Sequence, residues 1–499
     1  MNERKTNRAE IVLSGVLLLV SFLFLLGTAR PDLEASDSAE LVAAACSLGI
    51  PHATGYPLYT SIGRIAVAAS PFDPARTMNL LSALIAGSAL VLFALAGREI
   101  TGNLLSASVP IAGLVFARPL WFVATIAEVY ALHLLLLAAT LFFLLRWRRT
   151  GARSDLLLAI YAAALGFAHH GSTALFLPGY VLFVLLHLRS ARRGARRAAG
   201  LLLVPVALSI YLYHPIRHAA GPPIDSFRDL ETKTEMGLLD PETVGETFAG
   251  RFFYKVLGGG PGRKLDLSGE TARARASSLL PLFRSSLGTL FLLAGIAGLV
   301  WGAARGPRTV AALLAWGFLA NTAYFLSFRT EDLEDFLVPS FFFLALGAAI
   351  LLEIARRAAS SLGARGAGGT VLLLALAAGN GAEVVSAAGK RGGYRHVAPI
   401  LDRERDLLRL DFPPGSRIVI PWGRATVLRY LQVAEEIRPD IEVHPMTRRQ
   451  YGRVVSFLLE RGPVFAEDAG GEMRERFQVS SFGPLFRVEK RPGEAGVSD

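Results

Sequence analysis

The sequence predicts an all-α polytopic membrane protein of about eleven transmembrane helices with a small C-terminal extracytoplasmic α/β domain. Three observations point there. Apolar runs close to the roughly 20 residues that a bilayer core demands recur along the first 390 residues. Of the 499 residues, 52% are hydrophobic and only 19% are charged, with a mean hydropathy of +0.42; an ordinary soluble domain carries about 25% charge. Beyond about residue 390 the composition turns polar. The same figures exclude disorder as the main state. One cysteine, Cys46, excludes a disulfide framework and a Cys-based metal site. No G-X-Y period and no sustained heptad is present. The net charge of +11 would suggest nucleic acid in a soluble chain. Here the arginines fall between apolar runs, so no nucleic-acid partner is expected.

Taken in order, the spans lie near 11–29, 80–97, 103–118, 127–145, 155–170, 172–188, 199–213, 284–303, 309–327, 336–354 and 370–388. The first is read as a span and not a secretory signal, because no A-x-A-like cleavage site precedes Arg30. Orientation follows from Lys and Arg in the short loops. With the N-terminus cytoplasmic, the inside segments hold 18 such residues, among them Arg146, Arg148 and Arg149, and Arg189 to Arg197. The short outside loops hold 5: Arg30, Arg64, Arg76, Arg118 and Arg329. The alternation persists through all eleven spans. It places the loops 30–79 and 214–283 and the tail outside, giving a membrane domain 1–389 and an extracytoplasmic domain 390–499. The tail alternates strand and helix: strands at 417–421, 441–445 and 463–467, helices at 426–437 and 448–460. No internal repeat of the inverted-transporter kind is visible.

The chemistry concentrates in the first outer loop. Asp37 and Glu40 are three residues apart, on one face of the helix that begins there. Two carboxylates at a membrane surface can hold a metal, orient a hydroxyl or take its proton. D-x-x-E ahead of an apolar run is equally a capping box, and from these residues alone the two readings stand level. The rest of the loop favours chemistry. It reads as two interfacial helices joined by a turn at Gly55, Tyr56 and Pro57, with His52 just before it. His52 alone reads as a loop histidine, Tyr56 and Tyr59 as interface anchors, Cys46 as a packing residue. Glu128, at the outer end of the fourth span, is a functional candidate because an ionisable group at membrane depth is costly; its plainer role is a partner for Arg118. His133 reads as a packed polar residue, and His169 and His170 close the fifth span. Arg217 and His218 follow the seventh, where an arginine can clamp a phosphate or simply snorkel. The loop 328–336 carries Glu331, Asp332, Glu334 and Asp335; solvation is the reading for Glu331 and Asp335. HxH spacing is absent, and a divalent cation stays open as a cofactor. The glycines at 258–260 lie in a polar loop and form no dinucleotide site. P-loop, G-x-S-x-G and H-E-x-x-H templates are missing.

Several motifs in order resemble a family: D-S-A-E (37–40), L-G-I-P-H-A-T-G-Y-P-L-Y (48–59), M-N-L-L-S-A-L (78–84), A-E-V-Y-A-L-H (127–133), H-H-G (169–171), Y-L-Y-H-P-I-R (211–217), D-L-E-D-F-L-V-P-S (332–340) and P-P-G-S-R-I-V-I (413–420). They look like the protein O-mannosyltransferase-like membrane proteins of the GT-C glycosyltransferase superfamily, bacterial branch. The sequence departs from the usual H-P-P-G-Y-P at Ala53 and Thr54, from D-W-G at Ser226 and Phe227, and from a Gly-Asp pair at Trp422 and Gly423.

The resemblance implies a GT-C fold in the bacterial cytoplasmic membrane, with the active site on the outer face. It implies a polyprenyl-phosphate sugar as donor and inverting transfer of a hexose, mannose by the family, to a hydroxyl acceptor. That acceptor is a Ser or Thr of an exported protein or a surface glycan. Asp37 and Glu40 become the catalytic pair, with Asp37 the general base. His52, Tyr56, Arg118, Glu128, His170, Arg217 and Asp332 form the set offered for donor and acceptor binding. A lipid-linked glycan transporter or flippase and a non-catalytic membrane scaffold are the competing functions.

Overall fold

The computed structural model describes residues 8–188, 202–256, 265–330, 332–361, 367–396 and 400–491. Arg4, Lys5, Arg189 to Arg197, Gly258 to Gly260, Glu331 and Arg365 lie outside these. The chain divides into two compact units.

The first unit (1–29, 79–211 and 260–396) is helical. Among the described residues, six helices are long and apolar enough to cross a membrane: Arg8–Thr28, Pro74–Thr101, Tyr130–Thr150, Arg308–Leu326, Val338–Ser360 and Gly368–Gly389. Two bent pairs raise this to eight: Leu104–Phe116 with Arg118–Thr125, and Glu270–Leu287 with Thr289–Arg305, the second turning through 103°. The expected continuous span 284–303 therefore breaks at Gly288, whose φ of 75° only glycine adopts freely. Glycine also lets two helices touch. A Cβ on Gly295 would sit 2.7 Å from the Leu344 carbonyl oxygen, and one on Gly298 would overlap that of Gly347. Small residues at such crossings are what membrane helices use in place of a hydrophobic drive. A buried ionic cluster ties three helices together. Arg356 pairs with Glu353 (2.8 Å) and Glu10 (3.1 Å), Asn103 Nδ2 donates to Glu10 (2.8 Å), and Ser106 to Glu353 (2.8 Å).

The second unit gathers 30–78, 212–259 and the tail from 397. Its sheet has the order β2-β1-β3-β5-β4, with β1 Arg417–Ile420, β2 Glu442–Pro445, β3 Val464–Ala466, β4 Phe477–Phe482 and β5 Leu485–Lys490. β1 runs parallel to β2 (Val419 opposite His444) and to β3; β5 is antiparallel to β3 and β4. The three strands and two helices expected from alternation are all found. The Gly483-Pro484 hairpin of β4 and β5 was not expected. Val419, Val454, Val455, Leu458, Val464 and Val488 form the core on one face, and Met236 from the segment 212–259 joins them. The helices Asp37–Ser47 and Pro57–Ala69 match the two read in the first loop. Their apolar residues do not serve as lipid contacts throughout: Ser38 to Ala45 are buried, and the Asp37–Ser47 helix packs against Trp422–Ala434 of the tail. Tyr56 and Tyr59 are buried as well, so neither is an interface anchor.

Candidate active site

The Asp37–Ser47 helix opens after Ser36, at φ 65°, with no side-chain cap bond, and closes at left-handed Leu48. The capping box is thus not formed. Glu40 turns elsewhere. Its carboxylate accepts the backbone N–H of His52 (3.1 Å to each oxygen) and meets His52 Nδ1 at 2.5 Å. His52 Nε2 stands 3.5 Å from Asp37 Oδ2, and Trp422 Nε1–H donates to Asp37 Oδ1 at 2.8 Å. The imidazole lies edge-on to Tyr56 (5.3 Å between centroids) and Trp422 (6.2 Å). One histidine therefore links the two carboxylates, and it holds them unequally: Glu40 is 1% exposed and Asp37 44%.

His52 is placed by the turn around it. Ile50 N–H donates to the Ile224 carbonyl (2.7 Å) and Ser226 N–H returns to Ile50 (2.9 Å); Ser226 Oγ donates to the Pro51 carbonyl at 2.6 Å. Gly55 packs so closely on His214 that no side chain fits. Arg217 donates through Nε to the Leu48 carbonyl (2.7 Å) and through Nη2 to that of Ser47 (3.1 Å). These are the unpaired carbonyls of a helix C-terminus, where a cation is favourable.

Behind the pair lies a buried charge network that sequence reading missed. Lys255 is 5% exposed, donates to the Pro51 carbonyl at 3.3 Å and lies 4.6 Å from the Phe227 ring centre. Burial pulls its ammonium down to about 8, against the pull of Glu40, Asp229 and Asp225. Asp225 caps the Ser226–Glu235 helix and accepts from His218 Nδ1 at 2.7 Å. Asp229 and Arg429 form a two-pronged pair at 2.9 Å on each prong. Burial opposes the charge on Asp229, yet the Arg429 guanidinium holds it below the usual range. His214 is fully buried; burial and then the Lys255 charge lower it to about 3. Of this network only His214, His218 and Asp225 lie in or beside motifs noted in the sequence. A lone lysine in an aromatic stretch, F-F-Y-K, carries no signal of its own.

The remaining candidates belong to the helical unit. Arg118 opens the Arg118–Thr125 helix and donates to the Arg391 carbonyl at 3.1 Å. Glu128 sits in the break before Tyr130–Thr150, its N–H 3.4 Å from Ser82 Oγ. His170 caps the Gly171–Leu175 turn, its Nδ1 2.7 Å from Ser172 Oγ and its ring 4.6 Å from His133. Asp332 is exposed ahead of Leu333–Phe336. Asp335, read as a solvated charge, is not one. Burial, then Asp332 and Glu334, push its carboxyl up to about 8, with Arg118 opposing. Among the described residues no group of three or more His, Cys, Asp or Glu is arranged to hold a metal ion.

A helical membrane body with a carboxylate pair in the loop after its first span and an α/β tail has the architecture of the GT-C fold. Chains of that fold align along nearly all of this one. ArnT from Cupriavidus metallidurans bound to undecaprenyl phosphate covers 98% of this chain and is itself covered to 99%, with a TM-score of 0.54 at 14% identity. The apo form of ArnT gives 0.54 at 13% identity, covering 96% and 97%. The Archaeoglobus fulgidus oligosaccharyltransferase complex with Zn and sulfate gives 0.54 at 12%, over 95% of this chain and 73% of that one. Residues 37–193 match the family model of the protein O-mannosyl-transferase TMEM260 N-terminal domain. Protein O-mannosyl-transferase TMEM260 of Mus musculus is 32% identical over 146 residues, 28% of this chain; the match spans about a fifth (20%) of that relative. The family match supports the resemblance over the motifs between Asp37 and Gly171, and the matched segment begins at Asp37 itself.

Proposed function

We propose that the chain is a membrane glycosyltransferase working on the extracytoplasmic face, and that it moves a hexose from a polyprenyl-phosphate carrier to a hydroxyl. The observation that carries this is the unequal treatment of the acidic pair. Asp37 is the accessible carboxylate; Glu40 is spent on fixing His52. Asp37 Oδ2 takes the acceptor proton as the acceptor oxygen attacks the anomeric carbon. The bond from that carbon to the phosphate oxygen breaks on the opposite face, which inverts the centre. Polyprenyl phosphate leaves with the bonding pair and needs no proton. The O-mannosyl-transferase description of the matched family supports mannose and a Ser or Thr acceptor, and the lipid bound to ArnT supports the donor class. Arg217, preferred from the sequence over Arg118 for steadying the leaving phosphate, already gives two donors to helix carbonyls. No step is assigned to a metal.

Asp37→Asn tests the reading. The change is isosteric and Glu40 keeps its own partners, so fold and expression should hold. Transfer from polyprenyl-phosphate mannose in membranes, compared at equal protein level, should fall about 10²- to 10⁴-fold. A near-normal rate removes Asp37 as base and leaves Glu40 or Glu128 as the remaining candidates, whereas no transfer by the wild type itself would favour the scaffold or transporter.

A further inference from the structure

We propose that Trp422, contributed by the C-terminal tail, is a positioning residue of the transfer site that orients Asp37 through its indole N–H. The inference rests on Asp37 being the base. Trp422 is the first residue of the Trp422–Ala434 helix, directly after β1 and Pro421. The close packing of that helix on Asp37–Ser47 brings residues 385 positions apart into one hydrogen bond of 2.8 Å. The indole nitrogen is a donor only and is neutral at every working pH. An arginine or lysine in its place would also orient the carboxylate, but its charge would strongly disfavour proton uptake. A neutral N–H on Oδ1 fixes the plane of the carboxylate and leaves Oδ2 to receive the proton.

This matters because the near end of the site is open. Asp37 is 44% exposed, and besides Trp422 it has, among the described residues, only two long contacts, His52 at 3.5 Å on Oδ2 and the adjacent Ser36 hydroxyl at 3.5 Å on Oδ1. A carboxylate held only by contacts of that length turns easily about its last torsion, which is broad and roughly two-fold. Glu40 needs no such help, with three contacts from His52 alone. The tail is then not an appendage to the catalytic loop. It supplies the second contact that the exposed carboxylate needs, and a chain whose tail is displaced has a correctly folded first loop with a poorly aimed base.

The test is Trp422→Phe, which keeps the aromatic packing and deletes the donor. In the full-length protein, transfer from polyprenyl-phosphate mannose should lose roughly 10- to 100-fold in kcat, the size of one hydrogen bond to a charged group, with KM for the donor little changed. The acid limb of the rate–pH profile should move to higher pH, because a bond that favoured the charged carboxylate is gone. A purely packing role would not move that limb. Trp422→His restores a ring N–H and should lie nearer to wild type than Phe in both readouts. If Trp422→Phe keeps the wild-type rate and profile, or if the Phe and His variants share one profile, the proposal is wrong. Asp37→Asn, run alongside, separates the failures. An active Asn variant overturns the base assignment, whereas an inactive Asn variant beside a normal Phe variant overturns only the role of Trp422.

Discussion

Asp37 and Glu40 are one helical turn apart and of the same chemistry, yet their surroundings give them opposite work. Glu40 accepts two N–H groups of His52 from a position that water does not reach. Glu40→Gln puts an amide N–H against one of those donors. It should cost about 1–3 kcal/mol, read as a lower melting temperature in detergent, whereas Asp37→Asn should leave melting almost unchanged. Equal losses for the two would contradict the division of labour. His214 gives a pH signature to the same region. Its folded value, about 3, lies below the ordinary 6.5. Between those values the unfolded chain binds more protons than the folded one. This residue's contribution is therefore complete above 6.5 and lost as pH falls toward 3, with a slope of at most about 1.4 kcal/mol per pH unit. His214→Phe should flatten the decline in melting temperature between pH 6.5 and 4.5; an unchanged decline would assign it to other groups. The sequence showed the spacing of the pair, because i to i+3 is a local property. It did not show which member is buried, because that depends on His52 folding back 12 residues later and on Trp422, 385 residues away.

At the scale of elements, periodicity was a good guide where burial is one-sided. β1, β2 and β3 were readable as short apolar runs between polar turns. β4 and β5 were missed because Gln478, Ser480 and Ser481 on one side and Glu489 on the other leave little apolar alternation in an edge hairpin. The break at Gly288 was missed for a different reason: apolar composition continues through it, and only the backbone turns. What joins elements is also invisible in pattern. Asp229, on the Ser226–Glu235 helix, clasps Arg429 on the helix that carries Trp422, and Arg429 also donates to the Val443 carbonyl at 2.9 Å. That clasp ties the segment 212–259 to the tail. Arg429→Lys loses the planar two-pronged fit and should lower stability by about 1–3 kcal/mol. A double-mutant cycle with Asp229→Asn should show a coupling of at least about 0.5 kcal/mol. Additive effects within error would mean the two side chains meet without supporting each other.

For the whole molecule the open question is parity. The eight spans allowed by length and composition, counting each bent pair once, would return a chain with a cytoplasmic N-terminus to the cytoplasm. Eleven would leave the tail outside. The difference lies in three further apolar stretches: the helices Arg153–His169 and Leu177–Leu188, and the run from Leu203 to Leu212, where Leu203–Leu208 and a tight turn follow without a gap. Each is short for a bilayer core, the first at 17 residues and the second at 12. At 1.5 Å per residue these reach about 26 and 18 Å, so the second crosses only where the membrane thins or flanking arginines snorkel. The distribution of Lys and Arg favours an odd total, since 18 against 5 holds whether one or all three of these stretches cross. The tail is then outside, with Asp37, Glu40 and Trp422 on its side. A reporter that is active only outside the cytoplasm, fused after Val488, should be active, and one active only in the cytoplasm should be silent. The opposite result inverts the chain, with the N-terminus outside, and puts the carboxylate pair on the cytoplasmic face, because the Trp422–Asp37 bond keeps the tail and the first loop on one side. An extracytoplasmic sugar donor could not reach it there, and the proposed transfer would fail with the topology.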